Sequence, residues 1–182
     1  MNSSSVSPNL KKKALNLRLT GWSCFWLQIV GVLVSGISLL FVITGRQISA
    51  QTNPAMGWGV FLAISGMIAA VVSIILAFWY TQVGQRLRKA DSTQPPPKSD
   101  LTRLIQLGLI IGLGGMFVTL IGSGLTAAVL VAKTISQPPG TTLTDASEAV
   151  RALDVLIMVA NLNGVAAHFI GTVTSIWLKY QI

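Results

Sequence analysis

RALDVLIMVANLNGVAAHFIGTVTSIWLKYQI, residues 151–182, is the stretch on which the fold turns. Its middle is apolar enough to cross a membrane, yet it carries Asp154, Asn161, Asn163 and His168. Asp154, Asn161 and His168 stand at i, i+7 and i+14, which on an α-helix puts them within roughly 40° of one another. Thr172 and Ser175 extend the same stripe. A polar line down a membrane helix cannot face lipid without a large unfavourable free energy, so it must face other helices or a wet cavity. The rest of the chain then reads as the packing that covers this line.

The composition agrees. Of 182 residues 52% are hydrophobic and only 10% charged, with a mean hydropathy of +0.68. A soluble domain carries about a quarter charged residues. Four apolar runs, about Gly21–Thr44, Gly57–Tyr80, Leu104–Ala132 and Leu153–Leu178, are each long enough to cross ~30 Å of hydrocarbon. The expected fold is all-α: an integral membrane four-helix bundle over residues 21–182, preceded by a basic segment over 1–20.

The net charge of +8 would suggest nucleic acid in a soluble protein, but its placement points to a membrane instead. Lys11, Lys12, Lys13 and Arg18 precede the first run. Arg86, Arg88, Lys89, Lys98 and Arg103 lie between the second and third, and Lys179 follows the fourth. Arg46, Lys133 and Arg151 occupy the other two connections. Ten of the 13 basic residues therefore share one side, and the positive-inside rule puts both termini and the middle loop in the cytoplasm. No nucleic-acid partner is expected. The lone Cys24 rules out an internal disulfide and a multi-cysteine metal site.

In chain order, Leu10, Ala14 and Leu17 face away from the lysines, as in a short interfacial helix lying on anionic lipid. The first span carries Cys24, Gln28, Gly31, Ser35 and Ser38 at three- and four-residue spacing. Gly59, Ala63, Gly66, Ala70, Ser73 and Ala77 form a like stripe in the second. Phe78, Trp79 and Tyr80 mark its interfacial end, and the tract Gln94–Pro97 is a stiff spacer. In the third span Gly108, Gly112, Gly115 and Gly122 recur with Thr119 and Thr126. In a membrane such residues let helix backbones approach closely. This helix is expected at the centre of the bundle or in a contact between subunits. Asp145 and Glu148 resemble a capping box for the fourth helix.

The candidate polar seam comprises Gln28, Asp154, Asn161, Asn163 and His168. Asp154 could bind a cation in an outer vestibule; the plain alternative is an ion pair with Arg151. Asn161 and Asn163 suit interhelical hydrogen bonding. His168 could titrate or ligate a metal, or simply pack; its depth matches that of Gln28, making a contact between the two side chains geometrically reasonable. Asp154 and His168 lie ~21 Å apart along one helix and cannot share an ion. No hydrolase triad, HExxH or phosphate-binding loop is present, so no enzyme and no cofactor are expected.

With these residues in view, the chain resembles a chloroplast inner-envelope family described both as a translocon component and as a "permease in chloroplasts", with cyanobacterial members. The resemblance rests on Leu17-Arg18 followed by Gly21-Trp22-x-x-Phe25-Trp26-x-Gln28, on Arg86-Leu87-Arg88 with the prolines downstream, and on Ala152-Leu153-Asp154-Val155 leading to His168-Phe169-x-Gly171. It implies a four-helix membrane protein linked to iron transport or to preprotein import. Without a long transit peptide, the expected setting is a cyanobacterial inner or thylakoid membrane. The leading expectation is an iron (metal-ion) permease or permease subunit that works as a homo-oligomer or within a membrane complex. The competing one is a translocation or assembly component with no transport activity of its own.

Overall fold

The computed structural model describes residues 8–48, 54–89, 98–136 and 152–181. They form four helices: α1 (Pro8–Ile48), α2 (Pro54–Lys89), α3 (Lys98–Ile135) and α4 (Ala152–Gln181). The segment before Pro8, the tract Gln94–Pro97, the Asp145/Glu148 pair and Arg151 lie outside the described residues. Each helix contains a segment long and apolar enough to span a membrane, from Ala14–Gly45 in α1 to Ala152–Gln181 in α4. At 1.5 Å per residue the helices measure ~45–60 Å, longer than the ~30 Å hydrocarbon layer.

Consecutive helices are antiparallel neighbours, α4 closes the ring against α1, and α2 and α4 also touch across the diagonal; α1 and α3 do not. The buried positions show why. On α2 a line of them, Met56, Gly59, Ala63, Gly66, Ala70, Ser73, Ala77, Tyr80 and Gly84, alternates steps of three and four without a slip. On α3 the same alternation runs Ile105, Gly108, Gly112, Gly115, Thr119, Gly122, Thr126, and on α4 Asp154, Ile157, Asn161, Gly164, His168, Gly171, Ser175, Leu178. On α1 it runs through Ala14, Leu17, Gly21, Cys24, Gln28, Ser35, Ser38 and Val42. A strict 3.5-residue repeat is that of helices wrapped around one another with a left-handed supercoil.

What is unusual is the content of the seam. The large apolar side chains point outward: Leu40, Phe61, Ile68, Ile110 and Phe117 are all more than half exposed. Between the apolar clusters at its two ends, the seam is mostly glycine, alanine, serine and threonine, with Gln28, Asn161 and His168. In lipid there is no hydrophobic gain from burying a leucine, so close backbone packing and hydrogen bonds drive association instead. Several buried hydroxyls are satisfied within their own helix: Thr119 donates to Gly115 O (2.9 Å) and Thr126 to Gly122 O (2.8 Å).

Apolar clusters close the two ends. Ala14, Leu17, Leu76, Tyr80, Ile105 and Leu178 form one, and Val42, Met56 and Ile157 the other. The first overturns two expectations. α1 runs unbroken from Pro8, with Ala14 and Leu17 buried in the bundle rather than lying on lipid as a separate interfacial helix. Tyr80, read as an interfacial aromatic, is 2% exposed, whereas Phe78 and Trp79 beside it point outward. Tyr80 falls on the repeat that runs through Gly59, Gly66 and Ser73; Phe78 and Trp79 do not.

The repeat makes a sharp prediction. Ala70→Leu, at a seam position 1% exposed, should destabilise the bundle by about 1–3 kcal/mol through overpacking. The neighbouring Val71→Leu should fall within about 0.5 kcal/mol of wild type. Thermal unfolding of the purified variants in detergent measures the difference.

Candidate functional site

The polar residues of α4 are held by glycines of α2 and α3. His168 lies over Gly115, where an added Cβ would overlap the imidazole, and its Nε2 is 3.0 Å from Gly66 O. A carbonyl only accepts, so Nε2 carries the proton and Nδ1 of the neutral ring is a bare acceptor. Seven residues earlier, Asn161 repeats the arrangement. Its side-chain oxygen occupies the space a Cβ would take at Gly122, and Nδ2 donates to Gly59 O (3.1 Å) and to Ile157 O (3.0 Å). Thr172 lies against Gly112, and a Cβ there would be 2.5 Å from its Oγ1. At Gly108 the space is filled by the Tyr80 and Ser175 hydroxyls.

The four inward-facing glycines of α3 are thus four sockets, each filled by a polar side chain, three of these wholly from α4. At Thr119 the relation reverses and Gly164 of α4 receives the threonine methyl. Antiparallel packing keeps these contacts in register along the seam. Gly59 and Gly66, seven residues apart, meet Asn161 and His168, also seven apart, because the diagonal pair α2–α4 runs parallel.

Gln28 enters from α1 at the level of His168. Its Nε2 donates to Ser73 Oγ (2.7 Å) and Ala167 O (3.2 Å), above Gly171. Gln28 and His168 therefore take separate partners instead of bonding to each other. Ser35, one step of the repeat further on, donates to Ala160 O (2.9 Å). Tyr80 donates to Leu104 O (3.2 Å) and lies 3.3 Å from Ser175 Oγ. Asn163 stands off the ladder: half-buried, it bonds within its own helix to Val159 O (2.9 Å).

Asp154 is buried at the opposite end from most of the bases and pairs with Lys133 of α3 at 2.8 Å. This ion pair crosses between helices; Arg151, the partner expected from the sequence, lies outside the described residues. Its position in the first turn of α4 also complements the helix dipole. Lys133, Ser73 and Tyr80 are the members of the seam not singled out as site residues from sequence. A shared seven-residue spacing with Gly59 and Gly66 is the signal that marks Ser73 and Tyr80.

Among the described residues four buried side-chain polar atoms have no hydrogen-bond partner: Gln28 Oε1, Asn161 Oδ1, His168 Nδ1 and Thr172 Oγ1. The first three are acceptors, and three of the four lie within about one turn of α4 around His168. The crevice beside them, lined by Gly31, Ser35, Ala63, Gly164 and Ala167, has no room for a water molecule. No group of three or more His, Cys, Asp or Glu side chains converges among the described residues.

The socket geometry predicts a coupling. Gly115→Ala alone should destabilise the protein by about 1–3 kcal/mol, since the imidazole must move. In a His168→Ala background the same change should be tolerated, giving a coupling of about 1 kcal/mol or more in a double-mutant cycle. Denaturant unfolding of the four proteins provides the measurement, and additive effects would contradict the contact.

The comparisons with known proteins agree with this architecture of one continuous unit. No solved structure matches the chain. Protein TIC 21, chloroplastic, of Arabidopsis thaliana is 30% identical over 184 residues, which cover 97% of this chain and 60% of that protein. The chain thus spans about 60% of the length of the curated relative it matches. A family model described as "Protein of unknown function (DUF3611)" matches residues 7–182. With that match running through all four helices, from before Pro8 to the last residue, the chain belongs to the DUF3611 family.

Proposed function

We propose that this multi-pass membrane protein is a small metal-ion permease or permease subunit, with ferrous iron as cargo, working as a homo-oligomer or within a membrane complex. The observation that carries this reading is the set of unpaired acceptors, Gln28 Oε1, Asn161 Oδ1 and His168 Nδ1, inside a seam screened from lipid. Unpaired polar groups inside a membrane protein are unfavourable and belong to ion or substrate paths. Amide oxygens and an imidazole nitrogen suit a borderline cation such as ferrous iron. Single donors at successive depths bind weakly, and conduction needs sites that release as readily as they capture.

The bundle as described is closed, so passage requires α2 and α4 to part. The bonds across that diagonal, Asn161 to Gly59 O and His168 to Gly66 O, are the ones that opening breaks. Asp154 and Lys133 sit at the outer mouth, where a cation would compete with the lysine for the carboxylate. Ten bases at the other end support both termini facing the cytoplasm. The membrane in question is the plasma or thylakoid membrane of a cyanobacterium.

Reconstitution into liposomes tests the proposal. Wild-type protein should carry ferrous iron above the rate of empty vesicles. His168→Ala combined with Gln28→Leu should lower flux per folded molecule by about tenfold. Wild-type flux no higher than empty vesicles would overturn the permease. Unchanged flux per molecule in the variant, with only its abundance reduced, would reduce these residues to packing groups. That outcome would favour an assembly component.

A further inference from the structure

A second feature lies outside the seam, on the lipid-facing side of α1 and α2 at the basic end. There the two helices touch through glycine: a Cβ on Gly21 would be 2.7 Å from Thr81 Oγ1, and one on Gly84 would be 3.0 Å from Ala14 O and from Arg18 N. Because the floor is backbone, the flanking side chains stand up as walls. They enclose a groove of about 540 Å³ lined by Leu15, Arg18, Leu19 and Trp22 from α1 and by Phe78, Thr81, Gln82 and Gln85 from α2.

The antiparallel register grades this groove along its length. Leu15 faces Gln85 at the end nearest water, Arg18 and Leu19 face Thr81 and Gln82 in the middle, and Trp22 faces Phe78 at the deep end. Beyond Trp22 the wall continues as stacked aromatics, with Trp22 and Phe25 centroids 5.4 Å apart and Phe25 6.0 Å from Phe78. So a cation and two carboxamides lie at the level of a headgroup, with indole and phenyl rings about one turn, ~6 Å, deeper. Arg18 is exposed and makes no ion pair within the described residues, where the acidic side chains are Asp100, on α3, and Asp154, at the far end. Arg86 adds a second exposed cation one residue beyond Gln85.

We propose that this groove binds one anionic phospholipid, its phosphate on Arg18 with Gln82 and Gln85 donating, and one acyl chain along Leu19, Trp22 and Phe78. The apolar wall selects a lipid over a free phosphate. The Arg18 guanidinium selects an anionic headgroup over a zwitterionic one, because a bidentate fork holds phosphate oxygens that carry uncompensated charge. The site is a docking place for lipid that would brace α1 against α2 where Gly21 and Gly84 bring the two helices close.

Tryptophan quenching by brominated lipids in nanodiscs measures occupancy. At equal mole fraction, brominated phosphatidylglycerol should quench more than brominated phosphatidylcholine, and Trp22→Phe should remove that excess. Arg18→Gln should lower the phosphatidylglycerol preference about fivefold, whereas Arg103→Gln, a base at the same end but on α3, should leave it unchanged. Equal loss in both arginine variants would mean a diffuse surface field and would overturn the site. So would an excess that persists in Trp22→Phe, or one that millimolar inorganic phosphate abolishes, which would mark an anion site without a lipid wall.

Discussion

A polar side chain inside a bilayer has no water to turn to, so each one must find a partner within the protein. Asn161 and His168 find theirs in the carbonyls of Gly59 and Gly66, groups already bonded within α2 but each with a second lone pair. Reaching those carbonyls requires that nothing larger than hydrogen stand between the helices. Glycines 115 and 122 on α3 meet that condition, since a methyl at either would overlap the ring or the amide. From this fit follow the register of α3 on α4, the parallel diagonal of α2 and α4, and the absence of contact between α1 and α3.

The bundle is consequently built inside out relative to a soluble one. Its surface bears leucine, isoleucine and phenylalanine, which lipid solvates, and its interior holds small residues and hydrogen bonds. Individual interhelical hydrogen bonds in membranes contribute only about 0.6–2 kcal/mol. Specificity comes from their number and common seven-residue spacing: a helix sliding by one turn would lose the ladder at every rung. The Lys133–Asp154 bridge fixes the same register at the end remote from most of the bases.

A seam so arranged is tight without being fully satisfied, and in the permease proposed above that combination would link packing to transport. A purely structural ladder has no use for spare acceptors, whereas a path for a cation needs lone pairs that the protein does not itself consume. The donors of Gln28, Asn161 and His168 are tied to the protein, so each side chain is held in orientation while its acceptor stays unpaired. The α1–α2 groove complements this: the close approach at Gly21 and Gly84 leaves an amphipathic cleft whose charge and aromatic grading match the proposed lipid.

Much was legible in the chain itself. Four apolar runs, the one-sided distribution of bases, the small-residue stripes and the i, i+7, i+14 line on α4 are properties of local composition and helical periodicity, which need no partner to define them. What periodicity cannot supply is the identity of the group opposite. Gln28 and His168 share a depth but take different partners, Asp154 reaches Lys133 across helices, and Tyr80 turns inward while Phe78 and Trp79 turn out. Those choices depend on the register between helices, which no single helix encodes. Only the packed bundle decides it, because a glycine becomes a socket only when a side chain from another helix arrives at its height.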